Sequence, residues 1–311
     1  VNYLKHNCLI SPNQYAFSNI KFAQAAFNQV ITTKYSDNFS KVYITLLDVK
    51  KAFDSVPTEA VLITLKNMNI PPNFINIIEA YTCYNSTRIY LKNGATKRIP
   101  LLRSVRQGDN LSPTLFAIFF ENFIRKLSTT TFVNGIHIPH LCFADDIAVI
   151  SHNRDQNQKA IDKCVEIGNS FDVEFNAKKT ISFSNHCSDQ VSINNTPIPI
   201  NPPVIKHLGI NYSPKGETSS HKTITIKTCM SIIHRASKIG FDWKQAILIC
   251  NMQISAIIGF CSPFVKWTKT ELERINIACR SLVKQKLNLW SIPNALLHQS
   301  INEGGLGLIC H

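Results

Sequence analysis

Leu141-Cys-Phe-Ala-Asp-Asp-Ile-Ala-Val-Ile150 sets two adjacent carboxylates, Asp145 and Asp146, between short apolar runs. The runs predict the arms of a β-hairpin with the Asp pair at its turn. A second stretch, Val42-Tyr-Ile-Thr-Leu-Leu-Asp48, has five apolar residues in seven and closes on another carboxylate. Carboxylates at the ends of buried strands are costly unless paired or metal-bound. Neighbouring Asp side chains repel, so a fold that gathers two or three normally does so around a divalent cation. Magnesium, a hard ion, prefers such oxygens. An Asp pair alone is equally an ordinary turn, because Asp tolerates tight turns and bonds to its own backbone there. Asp48 favours the metal reading: it is followed by Val49, Ala52 and Phe53 rather than by a polar loop.

The chain has 311 residues, 44% of them hydrophobic, enough for one large or two to three modest domains with a substantial core. Its 33 Lys and Arg against 20 Asp and Glu give a formal charge of +13, which suits a polyanion, with nucleic acid the first candidate. Residues 201–311 hold 13 Lys/Arg against 5 Asp/Glu, so +8 of the total lies in the last third. A phosphate-contact surface is expected there, against the plainer reading of a solvated helix face. The ten cysteines are single residues with no C-x-x-C pair. They read as reduced, buried thiols of an intracellular protein, and the dispersed His residues as structural. The most apolar stretch, Ala246 to Phe264, is interrupted by Asn251 and Gln253, and no membrane span or signal peptide is expected. The chain opens without Met at Val1 and stops at His311, as a fragment of a longer protein would.

Helical spacing of Ile20, Ala23, Phe27 and Val30 predicts a helix over 19–31. Pro57 opens one to about Met68, and Pro71-Pro72 another with Phe74, Ile77, Ile78 and Tyr81 on one face. A hairpin over Thr87–Leu102 turns at Lys92-Asn-Gly94. After the loop Arg106-Gln-Gly-Asp109, Ser112 as N-cap and Pro113 open a helix to about Leu127. The Asp-Asp hairpin, a helix from Asp155 to about Phe171 and a strand over Thr180–Phe183 complete a β, helix, hairpin, helix, β order. That order predicts an α+β domain, a mixed or antiparallel sheet with helices on one face. A Pro-rich stretch with a short hairpin follows, then helices near 219–239, 243–259 and 268–287.

These residues resemble the reverse transcriptases of non-LTR retrotransposons, relatives of the group II intron enzymes. Leu47-Asp-Val-Lys-Lys-Ala-Phe-Asp54 is similar to their first carboxylate motif, Ser104-Val-Arg-Gln-Gly-Asp-Asn-Leu-Ser-Pro113 to their template-and-substrate loop, and Phe143-Ala-Asp-Asp146 to their paired-Asp motif. Asn176-Ala-Lys-Lys-Thr180 resembles the Lys-containing segment that follows, and Lys206-His-Leu-Gly-Ile210 the primer-grip hairpin. Ile10-Ser-Pro-Asn-Gln-Tyr-Ala-Phe17 matches the fingers edge, and Glu303-Gly-Gly-Leu-Gly307 a segment after the polymerase core. The resemblance implies a right-hand polymerase fold: partial fingers over 1–40, a palm with a fingers insertion and the primer-grip hairpin over 41–216, an α-helical thumb over 217–290, and the start of a C-terminal connection over 291–311. Family members commonly carry an Arg for the triphosphate soon after the fingers-edge segment. Here Ser18 follows Phe17 and Lys21 is the substitute.

The implied activity is RNA-directed DNA polymerisation with an RNA template, a DNA primer, deoxynucleoside triphosphates and two magnesium ions. Nucleotide addition needs a 3′-hydroxyl deprotonated and a pyrophosphate stabilised, and two metal ions about 4 Å apart clamp both oxygens. Asp48 and Asp145 are the expected ligands of both ions; Asp146 completes the cluster with a weaker contact, and the Val49 carbonyl is a further ligand. In the resembling family the aromatic at Phe53 lies beneath the sugar and excludes a 2′-hydroxyl; core packing is the competing reading. Gly108 gives the backbone close approach to the incoming base pair, Gln107 bonds to nucleotide or template, and Arg106 belongs to the same loop. Lys179 or its neighbour Lys178 protonates or neutralises pyrophosphate, with a solvated basic pair as the alternative. Tyr212 and the Leu208-Gly209 bend position the primer, and Lys222, Lys227, Lys238 and Lys244 are candidate phosphate contacts. Target DNA would be engaged through an endonuclease outside this chain, in the nucleus. Two rivals stand beside this reading. One is a nucleic-acid-binding descendant without catalysis, which the intact carboxylates oppose and the missing early fingers favour. The other is an RNA-templated RNA polymerase, which Phe53 disfavours.

Overall fold

The computed structural model describes residues 9–11, 14, 15, 24, 25, 27, 30, 31, 42–83, 86–101, 103, 105, 106, 108–127, 132, 133, 136, 137, 140–184 and 190–311. Of the helix expected over 19–31, the described residues 24, 25, 27, 30 and 31 are helical, with Phe27, Val30 and Ile31 buried. Phe17, Ser18, Lys21 and Gln107 lie outside the described residues. The chain divides into two compact units, Val1–Pro203 and Val204–His311.

The first unit is built on a four-stranded sheet. Tyr43–Leu47 is buried along its whole length, which is why its sequence is a continuous apolar run rather than an alternation. It lies between Ile181–Ser184 and Asp146–Ser151, and His140–Phe143 closes the edge beyond Asp146–Ser151. All three pairings are antiparallel, so of the mixed or antiparallel sheet expected the antiparallel form is the one found. Tyr43–Leu47 and His140–Phe143 do run in the same direction, but the returning arm of the hairpin inserts between them. Among the described residues parallel pairing is confined to isolated bridges such as Gln14 with Cys142.

Helices Ser112–Lys126 and Arg154–Ser170 supply the core against this sheet, through Leu115, Phe116, Phe120, Phe123, Ile161 and Cys164, with Leu47, Ile147 and Val149 from the strands. Helical spacing stacks Phe116 on Phe120 (5.3 Å) and Phe120 on Phe123 (4.8 Å), and Phe53 extends the stack onto Phe116 at 5.0 Å. The Pro72–Cys83 helix buries Ile75 and Thr82, with Ile78 partly covered. Phe74 and Ile77, expected on the packed face, are 59% and 66% exposed because the helix Thr58–Asn67 selects the neighbouring stripe. The ribbon that follows pairs Thr87 with Ile99 and Leu91 with Gly94, the latter at φ +134 beside the turn.

The second unit starts earlier than the expected thumb. Its hairpin, Ile205–His207 with Ile210–Tyr212, clusters with the helices: the Asn211 N–H donates to Nδ1 of His221 on helix Ser219–Lys238. Leu208 and Gly209, at φ +46 and +85, make the left-handed two-residue turn that a tight hairpin needs. Side-chain boxes from Asp242 and Thr268 start the next two helices, and Ile233, Ala246, Ile254, Ile275, Leu282 and Val283 form a separate core. The helical stretch Trp243–Cys261, which contains a π-turn at Cys250–Ile254, has the length and apolarity of a membrane span. Its Ala246, Ile247, Cys250, Ile254, Ile258 and Cys261 are buried in this unit's own core, and Asn251 bonds the Gly307 carbonyl and the Ile309 N–H. Cys142, Cys164, Cys229, Cys250, Cys261 and Cys279 are buried free thiols, and Cys310 is exposed.

One fully buried polar side chain ties helix to sheet. Asn157 donates to Thr45 Oγ1 (2.9 Å) and Ser182 Oγ (3.2 Å), while Thr45 Oγ1 donates to Ser182 Oγ (3.0 Å). Asn157→Leu keeps the volume and takes the amide partner from both hydroxyls, which are left bonded to each other, so urea unfolding should register a loss of about 1–3 kcal/mol. An unchanged midpoint would mean that the network contributes no net stability.

Candidate active site

The register of the central strands decides where the carboxylates meet. Leu47 pairs with Ile147, and one further step sets Asp48 opposite Asp146. Directly opposed residues of an antiparallel pair project to the same face with Cβ atoms about 5 Å apart. Asp145 occupies the two-residue turn between Phe143 and Asp146. Ala144, the other turn residue, is at φ +55, a conformation that favours glycine, and is nearly buried. Its N–H donates to Gln14 Oε1 at 3.0 Å.

Asp48 is held from the opposite side as well. Its N–H donates to Thr180 Oγ1 (3.1 Å) and its carbonyl accepts the Asn176 N–H (2.8 Å). Val49 bridges Phe175, and the Lys50 N–H reaches the Glu174 carbonyl at 2.8 Å. In this narrow antiparallel pair the flanking residues carry the hydrogen bonds, so Val49 turns its carbonyl away from Phe175, toward the hairpin side of the strand. Asn176 and Thr180, quoted in sequence only as part of a Lys-containing segment, are therefore the staples of Asp48.

The electrostatics are those of like charges held together. Asp146 is pushed up to about 6, first by desolvation and then by Asp145 and Asp48. Asp145 is raised by desolvation and by Asp48. The donors, three carboxylates and a backbone carbonyl, are all oxygen and match a hard divalent cation. Among the described residues no three acidic, His or Cys side chains converge closely enough to hold a metal by themselves.

Around this centre the remaining expected residues separate. Phe53 is half-buried with one face on Phe116, and its carbonyl accepts the Val105 N–H (3.0 Å), joining it to the loop of Arg106 and Gly108. Arg106 lies 5.2 Å over the Tyr81 ring. Gly108 is required by its φ of +85; among the described residues nothing lies within 4 Å of where a Cβ would stand. The N-cap expected at Ser112 is corrected: the helix begins with that residue, Leu111 holds the N-cap position without a side-chain cap, and the Leu111 N–H donates to Asp109 (3.3 Å). Asp109 also bonds the Tyr81 hydroxyl. Lys179 lines a cleft of about 560 Å³ with Asp48, Lys50, Lys51 and Arg103, whereas Lys178 is exposed outside that lining. Two ion pairs border the cleft, Lys50–Glu174 (3.0 Å) and Arg103–Asp172 (2.8 Å); among the described residues Lys51 and Lys179 have no ion-pair partner.

In the second unit Lys222 is not a free surface cation. Its ammonium contacts both Glu271 oxygens at 3.0–3.1 Å, with the side chain 19% exposed. Lys227 and Lys238 are exposed, and so is Arg235 on the same helix, which the sequence reading omitted. Lys244 is exposed and lies 5.5 Å over the Trp243 ring.

The family model "Reverse transcriptase (RNA-dependent DNA polymerase)" matches residues 1–212. This chain belongs to that family. Among curated proteins this chain is 25% identical over 282 residues to a Pol polyprotein from the type-1 retrotransposable element R2 of Popillia japonica, covering 85% of this chain and 39% of that protein. It is 36% identical over 129 residues to the R2 polyprotein of Nasonia vitripennis (41% and 12%), and 25% identical over 226 residues to the RNA-directed DNA polymerase from the mobile element jockey of Drosophila melanogaster (69% and 24%). The chain thus spans less than half the length of these relatives. A telomerase from Candida tropicalis, solved in complex with a fragment of telomeric RNA, shares the fold with a TM-score of 0.50 at 12% identity, over 86% of this chain and 43% of that one. The α+β right-hand polymerase architecture follows from these matches, and reverse transcriptases are in general metal-dependent.

The raised carboxylates of this chain predict an acid-favoured fold when divalent metal is absent. A folded pKa near 6 above the ordinary 3.8 stabilises the fold fully below the lower value, and that contribution is lost as pH rises through the upper one. In chelator, thermal stability should therefore fall between about pH 4 and pH 7 through Asp146. Asp146→Asn should recover on the order of 1 kcal/mol at the neutral end, after allowance for solvent screening. A variant with the same pH profile as its parent would show that the carboxylates do not strain the fold.

Proposed function

We propose that this chain copies RNA into DNA, adding deoxynucleotides to the 3′-hydroxyl of a DNA primer. The observation that carries the reading is the opposition of Asp48 and Asp146 at one sheet end, with Asp145 in the adjoining turn. Asp48 and Asp145 would hold two magnesium ions, with Asp146 and the Val49 carbonyl completing the donor set. Bound there, the ions would supply Lewis-acid activation of the primer hydroxyl and charge neutralisation on the leaving pyrophosphate.

The chain's own side chains orient and discriminate. Phe53, backed by Phe116, is a firm wall on which a deoxyribose fits and a 2′-hydroxyl collides. Arg106, Gln107 and Gly108 receive the nucleotide and the template base. Lys179, on the cleft beside Asp48, neutralises or protonates the departing pyrophosphate. Exposed Lys227, Arg235, Lys238 and Lys244 are suited to phosphate contacts that do not read sequence. The Leu208–Gly209 turn and Tyr212 are suited to holding a primer end. The R2 and jockey relatives support a role within a retrotransposon; target DNA would be engaged by an endonuclease outside this chain, in the nucleus.

Primer extension on an RNA template tests the reading. Asp145→Asn removes a ligand without adding charge, so extension should fall on the order of a thousandfold while primer-template affinity holds. Near-parental extension would sink the assignment. In the same assay Phe53→Val should raise ribonucleotide use relative to deoxynucleotide by about tenfold or more. An unchanged preference would return Phe53 to a packing role alone.

A further inference from the structure

We infer that Gln14 is a positioning residue that sets the geometry of the carboxylate turn. The inference rests on the reading above for its consequence, since Asp145 and Asp146 matter through the metal they would hold; the clamp itself is a matter of geometry. Ala144 directly precedes Asp145 and has the left-handed φ of +55 that an L side chain rarely adopts. Such a conformation persists only where its surroundings over-determine it. Here the Ala144 N–H is removed from solvent and needs an acceptor, and Gln14 Oε1 supplies it at 3.0 Å.

Gln14 is itself fixed. It is 3% exposed, its backbone bridges Cys142 on the hairpin arm, and the neighbouring Tyr15 N–H donates to the Cys142 carbonyl at 2.8 Å. The Gln14 N–H donates to the Ser11 carbonyl (3.0 Å), and the Ser11 N–H donates to Glu121 Oε1 (2.9 Å). Glu121 is fully buried in the helix Ser112–Lys126, held by Arg125 Nε at 2.7 Å, and Arg125 Nη2 also reaches the Leu9 carbonyl at 3.1 Å. An unbroken series of hydrogen bonds therefore runs from a core helix through segment 9–15 to the amide before the paired carboxylates. A glutamine suits the last link on chemical grounds: its oxygen reaches the amide as a carboxylate would, without a further negative charge beside Asp145 and Asp146.

The test uses the full chain and two readouts that need no polymerase activity. Gln14→Met keeps length and burial but removes the acceptor. Amide exchange at Ala144 should quicken on the order of tenfold, the worth of a single hydrogen bond, while Ile147–Val149 stay protected. The manganese concentration that half-maximally raises thermal stability should increase by a similar factor, roughly tenfold. Adding Ala144→Gly to Gln14→Met should bring the manganese midpoint back toward the parent, because glycine adopts the turn without a clamp. Unchanged exchange and midpoint in Gln14→Met, or no recovery in the double variant, overturns the inference. Should Gln14→Met alone fail to fold, a folded, manganese-responsive double variant supports the clamp, and an unfolded one reduces Gln14 to a general packing residue and overturns it. If the parent shows no manganese response while Gln14→Met still frees the Ala144 amide, the metal reading fails and the clamp stands.

Discussion

Repulsion between Asp48, Asp145 and Asp146 is the constraint around which the first unit is organised. Carboxylates left to themselves would separate, and the fold prevents this by ending two paired strands at the same level. The strand bearing Asp48 has a neighbour on each side, and its backbone beyond the strand is bonded to Asn176 and Thr180. The turn bearing Asp145 is restrained by segment 9–15. Asp146 is raised first by desolvation and then by the Asp145 and Asp48 charges.

The rest of the unit separates neutral interior from charged rim. Behind the carboxylates the sheet is closed by an aromatic stack and by the Thr45–Asn157–Ser182 network, in which each polar group meets another without formal charge. Such a base is stiff, because close-packed rings and satisfied hydrogen bonds tolerate little displacement. The loops that would meet substrate are joined to it at few points, of which the Val105–Phe53 hydrogen bond is the most direct. It makes the setting of the loop at 103–109 inseparable from the position of the Phe53 ring.

Charge in the second unit is less available than its total suggests. Lys222 is absorbed by Glu271 and Arg280 by Glu273, so these cations stabilise helix contacts rather than a ligand. Lys227, Arg235 and Lys238 share one helix and remain exposed, as do Lys206, Lys215, Lys244, Lys266, Lys269 and Arg274 elsewhere in the unit. Partial neutralisation of this kind preserves attraction for a polyanion while limiting repulsion among the protein's own charges.

Periodicity and turn chemistry were enough to place the principal helices, the Asp-Asp hairpin and the strand ending in Asp48, because each depends on neighbours only a few residues apart. Motif order was enough to point to the family. The antiparallel sheet, the choice of Ile75 over Phe74 and Ile77 as the buried stripe, and the N-cap position at Leu111 instead of Ser112 were decided by partners distant in sequence or by local geometry that a composition pattern does not encode. The same holds at the site. The sequence contained Asp48, Asp145 and Asp146, but their opposition depends on a strand register linking positions about a hundred residues apart, and the staples Gln14, Asn176 and Thr180 act through single hydrogen bonds to backbone. A glutamine that caps a strained amide has the same sequence signature as one that faces water. Only the closed chain, which removes that amide from solvent, distinguishes them.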